Sequence, residues 1–261
     1  MKLASYHITF IGAGNLAWHL APALENAGHY VKEVYSLSGV SAKHLVANLY
    51  DATLKNSLDF SDSTSQIFIL AVPDDAIQAI TQEIILPDLS LLVHTSGSKA
   101  IKELEYSAAA ATGVFYPLQS FSKKRSVDFE RIPVLIESES KEATEILKNL
   151  GKSISKNVQF VSSKQRAQLH LAAVFANNFT NHLLTISENL AIDAKLDFSI
   201  LKPLIVETVE KSLLLSPRNA QTGPAKRGDV ETLDKHMDLL TGDESLQEIY
   251  RLLSQHILDN S

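Results

Sequence analysis

Residues 8–28 read ITFIGAGNLAWHLAPALENAG, and this stretch decides the fold. Ile8–Ile11 is a short β-rich apolar run that ends in a glycine turn. Beyond the turn, Leu16, Leu20, Leu24 and Ala27 recur at helical spacing on one face. Strand, glycine turn and helix in that order open a βαβ unit, and a second strand pattern begins near Val31. Gly12 permits the tight turn, and Gly14 lets the backbone come close to a pyrophosphate. Ala17 is small enough for the helix to pack on its strand. Ala13, Gly14, Asn15 and Leu16 then offer amides to phosphate at the positive end of a helix. The plainer alternative is a strand–helix corner that holds no ligand.

The alternation continues outward from this unit. KEVYSLS, QIFILAVP, LSLLVHTSG, TGVFYPL and IPVLIES each have the length and apolar, β-rich character of a strand, with helical patterns between them. This predicts an α/β protein with a doubly wound, mostly parallel Rossmann sheet. From about Ser162 the texture changes. SSKQRAQLHLAAVFANNFTNHLLTISENLAIDA is helical in pattern throughout, and ILKPLIVETVEKSLLL, DVETLDKHMDLL and DESLQEIYRLLSQHIL continue in kind. The chain is therefore expected to divide into a dinucleotide-binding domain, 1–160, and an all-α substrate and dimerisation domain, 161–261. Trp18, Tyr50 and the scattered phenylalanines read as core.

Composition narrows the functional classes. Among 261 residues, 45% are hydrophobic and 21% charged, the balance of a globular protein with a substantial core. A net charge of −6 argues against a general binder of nucleic acid or anionic membrane. The absence of cysteine excludes disulfides, thiolate metal sites and cysteine nucleophiles, and it fits a cytoplasmic protein. The opening MKLASYHITFIGAG is broken by glycines and reads as a first strand rather than a secretory signal. No apolar run approaches the roughly 18 residues of a membrane span. No HExxH pattern or spaced His/Asp/Glu cluster suggests a metal.

The choice of nucleotide is read at the end of the second strand. A site for NAD usually places a carboxylate there to bond the ribose 2′-hydroxyl. Here the run is VYSLSGVSAKH, and no carboxylate lies between Glu33 and Asp51. Ser36, Ser38 and Lys43 instead suit a 2′-phosphate, which favours NADP. Ligands of open α/β sheets sit beyond the carboxyl ends of strands. That marks Ala71, Val72, Pro73 and Asp74 after the fourth strand, and His94, Thr95, Ser96 and Gly97 after the fifth. Pro73-Asp74-Asp75 also reads as a helix start with Asp as N-cap.

Four motifs, GAGNLA (12–17), LAVPDDAI (70–77), VHTSGS (93–98) and TGPAKRGD (222–229), together resemble a known family. Its members are Rossmann-like proteins with a C-terminal helical domain of unknown function, and they often carry the name NADP oxidoreductase. More distantly the chain is similar to pyrroline-5-carboxylate reductases and β-hydroxyacid dehydrogenases. The resemblance covers nearly the whole chain. It implies an NADP-binding domain, a helical dimerisation domain and a cleft for a small substrate. Two departures stand out. FYPLQ places Tyr116 where the family often has a histidine, and Val174 occupies the position of the catalytic lysine of β-hydroxyacid dehydrogenases.

Candidate chemistry lies in the second half. His170, Asn177 and Asn181 are spaced seven and eleven residues apart, which on a straight helix at about 100° per residue puts them on one face. Three polar groups on an apolar stripe need partners, from a ligand or from another helix. Asp229 reads as an N-cap, with Lys226 and Arg227 before it as candidates to bind a substrate carboxylate or a phosphate. Reduction of a carbonyl or imine needs a proton donor, and imidazole suits neutral pH. His170 is the first candidate, with Tyr116 and His94 after it. The reading is an NADP-dependent oxidoreductase acting on a small, anionic molecule as a homodimer. The alternative is a non-catalytic NADP(H)-binding regulatory protein.

Overall fold

The computed structural model describes residues 4–260. The first part of the chain alternates as expected: β1 (His7–Ile11), α1 (Asn15–Asn26), β2 (Tyr30–Tyr35), α2 (Gly39–Val46), β3 (Thr53–Lys55), β4 (Ile67–Leu70), α3 (Ile77–Glu83), β5 (Leu91–His94), β6 (Ala111–Pro117), β7 (Val134–Glu137), α4 (Lys141–Ile154) and β8 (Val158–Phe160). The strands form one eight-stranded sheet in the order β3-β2-β1-β4-β5-β6-β7-β8. All pairings are parallel except β6 with β7. The doubly wound Rossmann sheet predicted from the apolar runs is therefore present.

Burial explains those runs. Every residue of β4 and β5 is buried because helices cover both faces of the sheet centre. Helix α1 buries Ala17, Leu20, Ala21 and Leu24, while Leu16 and Ala27 pack partly exposed on the same core. Helix α4, absent from the sequence reading, starts at a Ser140 cap and buries Ala143, Leu147, Leu150, Gly151 and Ile154. Its other face is charged, and the two-sided pattern accounts for its position over β6 and β7.

After β8 the chain is helical: α5 (Ser163–Ala173), a π-helical turn (Val174–Phe179), α6 (Thr180–Asp193), α7 (Lys202–Leu215), α8 (Pro217–Ala220), α9 (Pro224–Arg227), α10 (Val230–Leu239) and α11 (Glu244–Asp259). The compact units meet within α6, the first running to Asn181 and the second starting at His182. This is some way beyond the change of texture at 160/161, because α5 is tied to the sheet by Arg166. In the second unit, His236 Nδ1 and the Tyr250 hydroxyl, 2.7 Å apart, join α10 to α11.

Several aromatics expected in the core are not there. Tyr50 is 81% exposed, Phe175 61% and Phe160 59%. Tyr50 is held at the surface by the Asn26 side chain, and the Phe175 ring meets the Phe179 ring edge-on. Among the described residues, no helix is long and apolar enough to cross a membrane.

Candidate active site at the carboxyl ends of the strands

The strand order reverses between β1 and β4, which opens a crevice above their carboxyl ends. The glycine turn forms one lip. The Gly12 N–H donates to the Tyr35 carbonyl and the Ala71 N–H to the Ile11 carbonyl, each at 2.7 Å. Gly12 has a φ of +105°, and a Cβ there would stand 2.2 Å from the Ala71 carbonyl oxygen. Only glycine fits. Above Gly14 the nearest atom to a built Cβ is 4.0 Å away, so backbone is accessible at the start of α1. Ala71, Val72 and Pro73 form the opposite lip.

At the end of β2, the stretch after Ser38 is the first turn of α2 rather than a loop. The Ser38 hydroxyl caps that helix by accepting the Ser41 N–H, while Ser36 precedes it and Lys43 lies exposed on it. The carboxylate on β2 is engaged elsewhere. Glu33 accepts hydrogen bonds from Thr9 and Ser63 and pairs with Lys55 at 3.6 Å.

The end of β5 is a tightly built corner. The Thr95 hydroxyl donates to the Leu70 carbonyl at 3.0 Å, and the Ser96 hydroxyl accepts the Ser98 and Lys99 N–H groups. Both side chains, read from the sequence as cofactor contacts, are used in shaping the turn. Asp74 departs from the predicted role of N-cap. Pro73 holds the cap position, and the Asp74 carboxylate takes the Ser98 hydroxyl at 2.5 Å.

His94 is fully buried, and its Nδ1 accepts the Ser96 N–H at 3.1 Å. Burial, aided by the nearby Arg166 charge, lowers its pKa to about 4. It is therefore neutral at neutral pH and enclosed, which does not fit the sequence expectation of a proton donor. Its titration has a thermodynamic consequence. Between pH 6.5 and about 4 the unfolded chain takes up a proton that the folded chain refuses, so stability falls as pH falls through that window. The loss is about 3 kcal/mol at full extent. Denaturant midpoints followed from pH 7 to 4 should decline less steeply in His94→Gln than in the parent protein. Parallel slopes would contradict the assignment.

Gly97 closes the corner and brings two side chains together. The Tyr116 hydroxyl lies 3.1 Å from His170 Nδ1, and their rings meet edge-on with centroids 6.2 Å apart. A Cβ on Gly97 would stand 2.5 Å from His170 Nδ1 and 2.8 Å from Tyr116 Cζ. Burial, reinforced by the Asp74 charge, raises the Tyr116 pKa. The phenol therefore stays protonated where it shares its hydrogen bond with Nδ1. Both residues line a cavity of about 320 Å³ with Gln119, Ser120, Asn177 and Asn178.

The π-helical turn over Val174–Phe179 alters the predicted stripe. Wider turns break the 100° spacing between His170 and the asparagines. Asn177 still reaches the cavity, whereas Asn181 is outside its lining. Lys226 and Arg227 lie in the second unit, at the last turn of α9. Arg227 stands 3.9 Å from Asp229, which caps α10 through the Thr232 N–H as expected.

The residue that sequence reasoning missed is Arg166. It is fully buried, paired with Glu137 on β7, and donates to the Lys99 carbonyl in the β5 corner. It sits one helical turn before His170. An arginine amid a polar helix start, SSKQRAQ, gives no local sign of burial.

Comparison with known proteins identifies the relatives of this chain. A profile described as a Rossmann-like domain matches residues 1–115, and one described as a domain of unknown function, DUF2520, matches residues 132–257. A “putative NADP oxidoreductase” from Bacteroides fragilis is 38% identical, with a TM-score of 0.90 over 98% of each chain. A Thermotoga maritima protein is 22% identical over 97% of each chain, TM-score 0.69. An imine reductase from Myxococcus stipitatus shares the fold at 16% identity, covering 97% of this chain and 92% of that one, TM-score 0.59. No match is found among curated proteins.

Proposed function

This chain belongs to the family of its Bacteroides fragilis relative, Rossmann-like proteins with the DUF2520 domain, and from that premise we propose that it is an NADP-dependent oxidoreductase. The observation that carries the reading is the Tyr116–His170 pair, a proton-transfer couple on the same strand-end surface as an open glycine turn.

The residues fit the nucleotide. The space above Gly14 admits a pyrophosphate to the amides of Asn15 and Leu16, and Gly12 keeps the turn close to Ala71. Ser36, Ser38 and Lys43 would receive the 2′-phosphate, because Glu33 is already occupied by Thr9, Ser63 and Lys55. When bound, the nicotinamide supplies or accepts a hydride. The protein's part is to exclude water from the corner and to hold a proton. Tyr116 donates to Nδ1 and so sets the His170 tautomer, which leaves Nε2–H as the proton available to a carbonyl or imine. Asn177, Gln119 and Ser120 are polar groups positioned to orient a small substrate in the cavity.

Two measurements test this reading. Calorimetric titration should give NADPH an affinity at least about tenfold above that of NADH, the worth of a charge-assisted phosphate contact. Equal affinities would remove the 2′-phosphate site. The helical domain is proposed to pair two protomers, since Ile200, Leu204, Leu213 and Leu214 expose 63–84% of their surface. A monomeric mass by sedimentation would overturn that part.

A further inference from the structure

The segment between β6 and β7 contacts the glycine turn and α1. His19 Nε2 is 2.9 Å from the Ser122 carbonyl, to which it donates. The Phe121 ring lies 5.9 Å from the His19 ring and the same distance from Phe129. These contacts pin the segment to α1 and bring Lys123 to the glycine turn. Its Nζ donates to the Ala13 carbonyl at 3.3 Å and stands 5.0 Å over the Trp18 ring.

Lys123 is exposed, and its remaining donors face solvent beside the glycine turn, open to an anion. Among the described residues no ion pair involves Lys123. An ammonium carries three donors, and one long hydrogen bond with an aromatic face uses few of them. The cation also lies beside the first turn of α1, where a positive charge is disfavoured. Ammonium and helix amides repel one another, and an anion between them would satisfy both.

We propose that Lys123 is a pyrophosphate ligand of the dinucleotide, holding its phosphates against the glycine turn. The proposal rests on the NADP reading above and adds a residue on the β6–β7 segment to it. Pyrophosphate, rather than 2′-phosphate, follows from position. Lys123 touches Ala13 and Trp18 at the start of α1, whereas the 2′-phosphate residues stand beyond β2. Bound phosphate would draw the ammonium from the indole, and Trp18 is the one tryptophan of the chain.

The test compares the full chain with Lys123→Met and Lys123→Arg, following NADPH and NADH binding by calorimetry and by Trp18 emission. Lys123→Met should weaken both nucleotides by a similar factor, about tenfold or more, and flatten the dependence of affinity on KCl. Lys123→Arg should restore most of the loss. Unchanged affinity in Lys123→Met would overturn the proposal, as would weakening of NADPH alone, which would assign the lysine to the 2′-phosphate. A parent protein that binds neither nucleotide would overturn the cofactor reading and this proposal together. An unchanged thermal midpoint in Lys123→Met separates lost binding from lost folding.

Discussion

Replacing His170 with leucine is expected to lower turnover by about 10²–10⁴-fold while leaving NADPH affinity within a factor of about two. The geometry of the corner sets this expectation. Gly97 lets the imidazole and the phenol approach, and the 3.1 Å contact between Tyr116 and Nδ1 orients the ring. Removing the imidazole removes the proton on Nε2 but no part of the glycine turn. Tyr116→Phe leaves that proton in place and loses only its orientation, so its effect should be smaller. Because the two residues act as a unit, the double variant should be no slower than His170→Leu alone. Gly97→Ala offers a third route to the same loss, since its methyl group would push Nδ1 and the phenol apart. The readout is NADPH absorbance, with a carbonyl or imine found by metabolite screening. A His170→Leu enzyme within threefold of the parent, or additive losses in the double variant, would remove the pair from catalysis.

How much of this was legible beforehand follows from the range of each interaction. The glycine turn was readable because its requirements are local: a positive φ at Gly12, open space at Gly14 and a small Ala17 within six residues. The buried strands were readable for the same reason, as continuous apolar runs. Helix α4 was overlooked because its mean character is polar, and only its periodicity marks the buried face. Helix α2 is hard to see in SLSGVSAKH because a serine and a glycine open it, although that serine is the cap. His170 and Tyr116 were named separately from chemistry alone. Their contact joins β6 to α5 across 54 residues, a separation that no local pattern encodes. The π-helical turn was equally hidden, since VFANNF carries an ordinary helical pattern. Lys123 lies in the polar run SKKRS, where nothing local signals the glycine turn it reaches 110 residues away.

Arg166→Met is expected to destabilise the first unit by about 3–5 kcal/mol, the cost of leaving a buried charge unpaired. Arg166 has no exposed surface, and Glu137, its partner, is only 12% exposed by side chain. Around them the bonds converge. Glu137 also accepts the Ser163 N–H at 2.7 Å, the Ser163 hydroxyl accepts the Ile101 N–H at 3.0 Å, and Arg166 donates to the Lys99 carbonyl. One guanidinium thus joins β7, the corner after β5 and the start of α5. Methionine has similar length and would fill the space, so the loss measured would be electrostatic rather than a cavity. Breaking the pair from one side strands a carboxylate, whereas removing both charges does not. Arg166→Met with Glu137→Gln should therefore recover a large part of the stability lost in Arg166→Met alone. Chemical denaturation of the three proteins decides the matter. A single variant within 1 kcal/mol of the parent, or a double variant less stable than the single, would show that the network does not hold the corner together. Because His170 follows Arg166 by one turn, the stability loss should come with slower turnover at temperatures where the variant is still folded. Turnover restored in the double variant along with stability would tie the buried ion pair to the position of the imidazole rather than to the chemistry itself.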